Sequence, residues 1–141
     1  MPFWKHTLTT DGSHDARTGL VGIGIVIQER TGAKRRGPIL DTIAECCEGI
    51  PVHDAERWAV FRALIIALER GYTHVQIRSD HNRMRKSLRT RMASQHGFDG
   101  DELDRRILDL APRFVWLDFR YVPRRKNQLA HRLARQGRVL K

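Results

Sequence analysis

Cysteine is nearly absent: the 141-residue chain has two, Cys46 and Cys47, side by side. Neighbours on a strand point to opposite faces, so this pair cannot staple distant segments. Neither a disulfide framework nor a zinc-binding spacing can be written, which suits a reducing compartment. Long apolar runs are missing as well. The longest, "WAVFRALIIAL" at 58–68, is interrupted by Arg62 and is too short to span a bilayer. The first residues, "MPFWKHTLTT", lack the apolar core of a secretory signal. A cytoplasmic protein without a membrane partner is expected. Internal repeats, linkers and low-complexity tracts are also absent, so residues 1–141 are expected to form a single domain.

Acids are outnumbered. Sixteen Asp and Glu stand against 26 Lys and Arg, a net charge of +10, and the isoelectric point is about 10.7. Such a balance points to a polyanionic partner, nucleic acid first. The charge is also segregated. Residues 119–141 carry eight bases and no acid, residues 81–98 carry five and none, and "DGDELDRRILD" at 99–109 holds five acids.

What is present reads as alternating strands and helices. Residues 3–11 read as a first strand and 20–29 as a second, with Val21, Ile23, Ile25 and Ile27 at strand spacing. "RTGAKRRG" at 30–37 reads as a turn with Gly32 and Gly37, leading to a third strand near 39–48. A helix is expected over 54–70, with Asp54 as N-cap, Gly71 as terminator and burial on most sides. "THVQIRSD" at 73–80 is a fourth strand, with Val75, Ile77 and Ser79 on one face. A basic helix follows at 82–92, then a helix within "FDGDELDRRILDLAP", a fifth strand at 113–122 and a last helix from about 126 ended by Gly137. Hairpin-linked strands first and crossovers later imply an α/β fold: a five-stranded mixed sheet, three antiparallel strands then two parallel ones, flanked by helices. The fourth and fifth strands are expected parallel to the first, all near the sheet centre.

Three acids stand out by position. Asp11 is placed at the exit of the first strand, Glu56 in the first turn of the most buried helix, and Asp80 at the end of the fourth strand. Singly, each has an ordinary explanation: an Asx turn, a helix-dipole acid, an N-cap. Together, buried carboxylates repel one another unless a cation neutralises them, and hard oxygen donors suit a divalent ion.

"TTDGSHDARTGLVGIGIVI", "DAERWAVFRALIIALERGYTHVQIRSD" and "FRYVPRRKNQLAHRLARQ" are similar to the three motifs of ribonuclease H type 1, and the chain resembles the short bacterial and archaeal members. That resemblance implies a ribonuclease H-like fold and hydrolysis of the RNA strand of RNA–DNA hybrids. It implies two Mg²⁺ or Mn²⁺ ions held by Asp11, Glu56, Asp80 and a fourth residue, with Asp11 bridging. The fourth position, usually aspartate, is His131 here, either a ligand or a polar residue on an exposed turn. Candidate nucleic-acid contacts are Gly12, Ser13, Asn82, Arg83, Arg85, Lys86, Arg124 and Asn127, with Arg89 and Arg91 extending the basic run. Gly12 is expected to let the backbone approach substrate, and Asn127 to support the last helix or to sit behind the metal ligands.

Three departures from the family pattern matter. Besides His131, "VPRRKN" is too short for the histidine loop of longer relatives, and His53 and Asp54 stand where many relatives have paired asparagines. His14, His53, His81 and His96 have no ligand spacing and are expected at the surface, whereas Trp58 and Trp116 are expected in the core. A binding module without strong catalysis and a resolvase- or transposase-like nuclease remain the alternatives.

Overall fold

The protein is described by a computed structural model covering residues 4–31, 35–93 and 102–140. The strands are β1 (His6–His14), β2 (Val21–Thr31), β3 (Arg35–Cys47), β4 (His74–Ser79) and β5 (Trp116–Tyr121). The helices are α1 (Ala55–Glu69), α2 (Asn82–Ala93), α3 (Glu102–Leu110) and α4 (Gln128–Gly137). The sheet runs in the order β3-β2-β1-β4-β5. β1 and β3 are antiparallel to β2, while β4 is parallel to β1 and β5 parallel to β4. The expected five-stranded mixed sheet is therefore present, with one difference. β5 forms an edge, separated from β1 by β4, because each parallel crossover adds its strand outside the previous one.

Side chains alternate across β1, so Leu8 and Gly12 share one face while Thr7, Thr9 and Asp11 share the other. The first face is apolar. Leu8, Ile23, Ile25, Ile27, Ile77 and Phe119 are fully buried there with Ala59, Ala63, Leu64 and Ala67 of α1. Only the last residue of α1, Glu69, is exposed, as its apolar residues on most sides require. Arg62 ties α1 to β3 through a paired contact with Glu45, at 2.9 Å and 3.0 Å. The buried Asp104 accepts from Arg57 at 2.8 Å and anchors α3 to α1.

The opposite face is built from small residues, and α4 closes on it. A Cβ at Gly22 would lie 1.9 Å from the carbonyl oxygen of Ala134, and one at Gly24 2.2 Å from that of Ala130. No side chain fits at either position. Gly137 is the last residue of α4, as expected of the helix end, but without a positive φ; it serves the same approach, since a Cβ there would lie 2.4 Å from the Glu45 carbonyl oxygen. Gly71, by contrast, ends α1 as expected, with φ +75°.

Several boundaries move. β1 runs on to His14, so Asp11 lies inside a paired strand opposite Gly24, not at its exit. Gly37 belongs to β3; residues 32–34 and His96 lie outside the described residues. Asp54 makes no side-chain cap; it ends a short 3-10 turn, Val52–Asp54, that leads into α1. Trp58 packs partly buried against the core as expected, and Trp116 is half-buried. No helix among the described residues is long and apolar enough to cross a membrane.

Gly22→Ala should destabilise the fold by about 1–3 kcal/mol or more, since overpacking against backbone cannot be relieved by a rotamer change. Urea unfolding would show it, with Gly19→Ala as a control that meets no neighbour within 4 Å but places a side chain at φ +74°.

Candidate metal centre

Three elements deliver one carboxylate each to the same notch. β1 supplies Asp11, the first turn of α1 supplies Glu56, and the residue following β4 is Asp80. One ligand oxygen from each lies within 4.8 Å of the other two. The glycine after Asp11 makes this possible. A Cβ at Gly12 would lie 2.3 Å from the Ala55 carbonyl oxygen, so only glycine lets α1 come down beside β1. The Gly12 amide then donates to Glu56 Oε2 at 3.3 Å. On this side the Gly12 backbone is taken up by α1, so the need for glycine here comes from helix packing.

Burial and like charge set the electrostatics. Asp11 is 3% exposed. Burial pushes its carboxyl above the ordinary range, and the hydrogen bond from His131 partly offsets this. Glu56 is pushed up to about 9, first by burial and then by the charges of Asp11 and Asp80. Without a cation, Glu56 therefore keeps a proton at neutral pH and shares it with Asp11. The donor set, three carboxylate oxygens converging on one point, fits a hard divalent ion such as Mg²⁺ or Mn²⁺.

His131, one turn into α4, reaches Asp11 from the other face of the sheet, with Nδ1 2.9 Å from Asp11 Oδ2. It is not a bystander on an exposed turn. Asn127 is 1% exposed and donates from Nδ2 to the Thr10 carbonyl oxygen at 3.2 Å, while its own carbonyl accepts the His131 amide at 3.0 Å. It pins α4 to the residue before Asp11. Buried in this way, Asn127 cannot touch nucleic acid and has the supporting place instead.

Around the notch the basic residues divide. Arg124 is mostly in water, with Nε 3.7 Å from Asp80 Oδ2. Arg83 and Lys86 are exposed one turn apart on α2, which starts two residues after Asp80. Arg85 is half-buried and bonded to Asn82, and Arg89 pairs with Asp118 of β5 at 3.1 Å. Those two brace α2, and the Arg91 side chain lies outside the described residues. Ser13 shares the strand face of Asp11, opposite Gly22. His53 and Asp54 sit just before Glu56, and His53 is exposed. His14 is half-buried, not fully at the surface. His81 is not the plain surface residue its spacing suggests: its Nδ1 accepts the Met84 amide at 3.1 Å and caps α2, while Ser79 Oγ accepts its own amide at 3.0 Å. Histidine lies outside the usual capping set, so no sequence signal marks it.

Residues 9–137 match the family described as "Reverse transcriptase-like". The chain belongs to that family. No curated protein matches the sequence. Among solved structures, ribonuclease H1 of the halophilic archaeon Halobacterium salinarum is similar in fold, at 22% identity and TM-score 0.77, over 94% of this chain and 96% of that one. The N-terminal ribonuclease H domain of a Mycobacterium tuberculosis protein is similar at 22% identity and TM-score 0.76, over 95% and 93%. LC11 ribonuclease H1, crystallised with an RNA/DNA hybrid, is similar at 22% identity and TM-score 0.75, over 95% and 96%. The fold of this member of the reverse transcriptase-like family is thus the ribonuclease H fold, and its three acids form a possible metal site on it.

Glu56 provides a test by pH. The folded state holds a proton that the unfolded chain releases near 4.5, so its contribution to stability is full below that pH and declines as pH rises towards about 9. In chelator, the melting temperature should fall across this window. Glu56→Gln should flatten the fall and raise the midpoint at pH 8 by several degrees, at roughly 2–8 °C per kcal/mol, and thermal scans at a series of pH values read both effects.

Proposed function

We propose that this protein is a divalent-cation-dependent nuclease that hydrolyses the RNA strand of RNA–DNA hybrids. The observation that carries the reading is the convergence of Asp11, Glu56 and Asp80 within 4.8 Å, at a cost in repulsion that a fold without need of a cation has no reason to bear. When bound there, the ion supplies Lewis-acid stabilisation of the charge that builds on the phosphate and on the departing 3′ oxygen as water adds to phosphorus.

The chain's own residues do the rest. Asp11 sits at the back of the notch, held by its strand, with Glu56 to one side and His131 to the other. Asn127 fixes the backbone just before it. Arg83, Lys86 and Arg124 offer exposed positive charge beside Asp80, a track for the phosphates flanking the scissile one. Neither Arg83 nor Lys86 makes an ion pair among the described residues. Base-specific readout is not needed; an A-like groove and 2′-hydroxyls distinguish a hybrid from duplex DNA. The complex of the similar LC11 fold with an RNA/DNA hybrid supports a hybrid substrate. One observation favours a second reading, a hybrid-binding module with weak catalysis: an imidazole replaces the fourth carboxylate expected at position 131.

Cleavage of a hybrid labelled on its RNA strand, in Mg²⁺ and in Mn²⁺, separates the readings. The expected result is cleavage of that strand only, with duplex DNA and duplex RNA intact. Asp11→Asn and Asp80→Asn should each lose more than the roughly 10–100-fold that outer-shell partners of metal ligands cost. Salt-sensitive binding without cleavage in either metal would leave the binding module. A separate titration tests the track: Arg83→Gln with Lys86→Gln should weaken hybrid binding and reduce the log–log salt slope by about 0.9 for each phosphate no longer neutralised.

A further inference from the structure

α1, α2 and α3 share one buried core, on the sheet face that carries Leu8 and Ile77. Among the described helices, α4 alone lies on the other face, against β1, β2 and β3. It turns Ala130, Ala134 and Gly137 inward. The helical period then places Gln128, Arg132 and Arg135 together on its outer side, with Arg125 just ahead of them. All four are exposed.

These arginines differ from most others in the chain. Arg57, Arg62, Arg70 and Arg89 each pair with an acid on a neighbouring element. Arg125, Arg132 and Arg135 make no ion pair among the described residues. Their own segment offers no partner, since residues 119–141 hold eight Lys and Arg and no Asp or Glu. Arg132 and Arg135, three residues apart, repel each other. A side that only needs hydration can mix its signs, as the exposed side of α3 does with Glu102, Arg105, Arg106 and Asp109. The outer side of α4 does not.

The chemistry of the side chains narrows the partner. Guanidinium groups match the paired oxygens of a phosphodiester. Within α4 no large apolar residue stands among Gln128, Arg132 and Arg135, so the helix has nothing there to sink into lipid. From Gln128 to Arg135 it runs about 10 Å, which faces roughly three phosphates along one strand of a duplex.

We propose that Arg125, Arg132 and Arg135 form a second binding surface for the phosphate backbone of duplex nucleic acid, separate from the track of Arg83 and Lys86. The sheet stands between α4 and α2, so a short duplex on one surface leaves the other free, and one chain can hold two. The inference shares with the nuclease reading only its polyanionic partner.

The test titrates the full chain with duplex DNA about one helical turn long, about 10 bp, at low salt and without added metal. The wild type should bind two duplexes. Arg125→Gln with Arg132→Gln and Arg135→Gln should bind one, and so should Arg83→Gln with Lys86→Gln. Glutamine keeps good helix propensity at these exposed positions; should the triple variant still fold poorly, Arg132→Gln alone should weaken the second binding step several-fold. One duplex per wild-type chain would overturn the proposal. So would equal stoichiometry in the wild type and the triple variant, even if the variant lost binding to vesicles containing phosphatidylserine. A wild type that leaves hybrid uncut, yet loses one duplex in the triple variant, would defeat the nuclease reading and support this one.

Discussion

Two helices press on the same short piece of β1 from opposite sides, and the site exists because both can come that close. Gly12 removes the side chain that would strike the Ala55 carbonyl, and Gly22 and Gly24 remove those that would strike α4. With these gaps, the first turn of α1 and the first turns of α4 flank Asp11. Were either helix pushed outward by the thickness of a methyl group, Glu56 or His131 would draw away from Asp11. Close-packed interiors transmit such shifts instead of absorbing them. Backbone proximity comes first here, and the chemistry follows from it.

That proximity creates an electrostatic debt. Three carboxylates crowd a notch where Asp11 is buried and Glu56 is held far above its ordinary pKa. Outside the notch the balance is reversed, since the chain carries a net charge of +10. Negative charge concentrated at one point and positive charge on the surrounding surface suit a small cation and a polyanion in turn. The surface arginines are not interchangeable in this scheme. Arg57, Arg62 and Arg89 are committed to Asp104, Glu45 and Asp118 and hold elements together, which leaves Arg83, Lys86 and Arg124 facing solvent near Asp80.

Much of this is legible in the sequence, for reasons that can be named. Strand alternation in Val21–Ile27, apolar residues around 55–68, and the order of hairpins before crossovers lead to the sheet and its helices. Asp11, Glu56 and Asp80 are legible as a trio because each lies beside a recognisable element boundary or motif. What stays hidden depends on the third dimension. The glycines at 12, 22 and 24 look like loop or strand irregularities until the helices above them are placed. The end of β1 is obscured because an Asp-Gly-Ser run resembles a turn, whereas pairing with Gly24 and Gly22 carries the strand through it. β5 lies further from the centre than expected because sequence order does not say on which side of β4 a crossover lands. Asn127 and His81 act through backbone groups distant in sequence or outside their usual preferences, and no periodic pattern reveals that.

The central claim is that these three carboxylates form a divalent-cation site, and anomalous diffraction from crystals grown with Mn²⁺ tests it most directly. The account predicts a strong anomalous peak bounded by the oxygens of Asp11, Glu56 and Asp80. Ordered side chains in the same arrangement with no peak among them, at millimolar Mn²⁺, would contradict it.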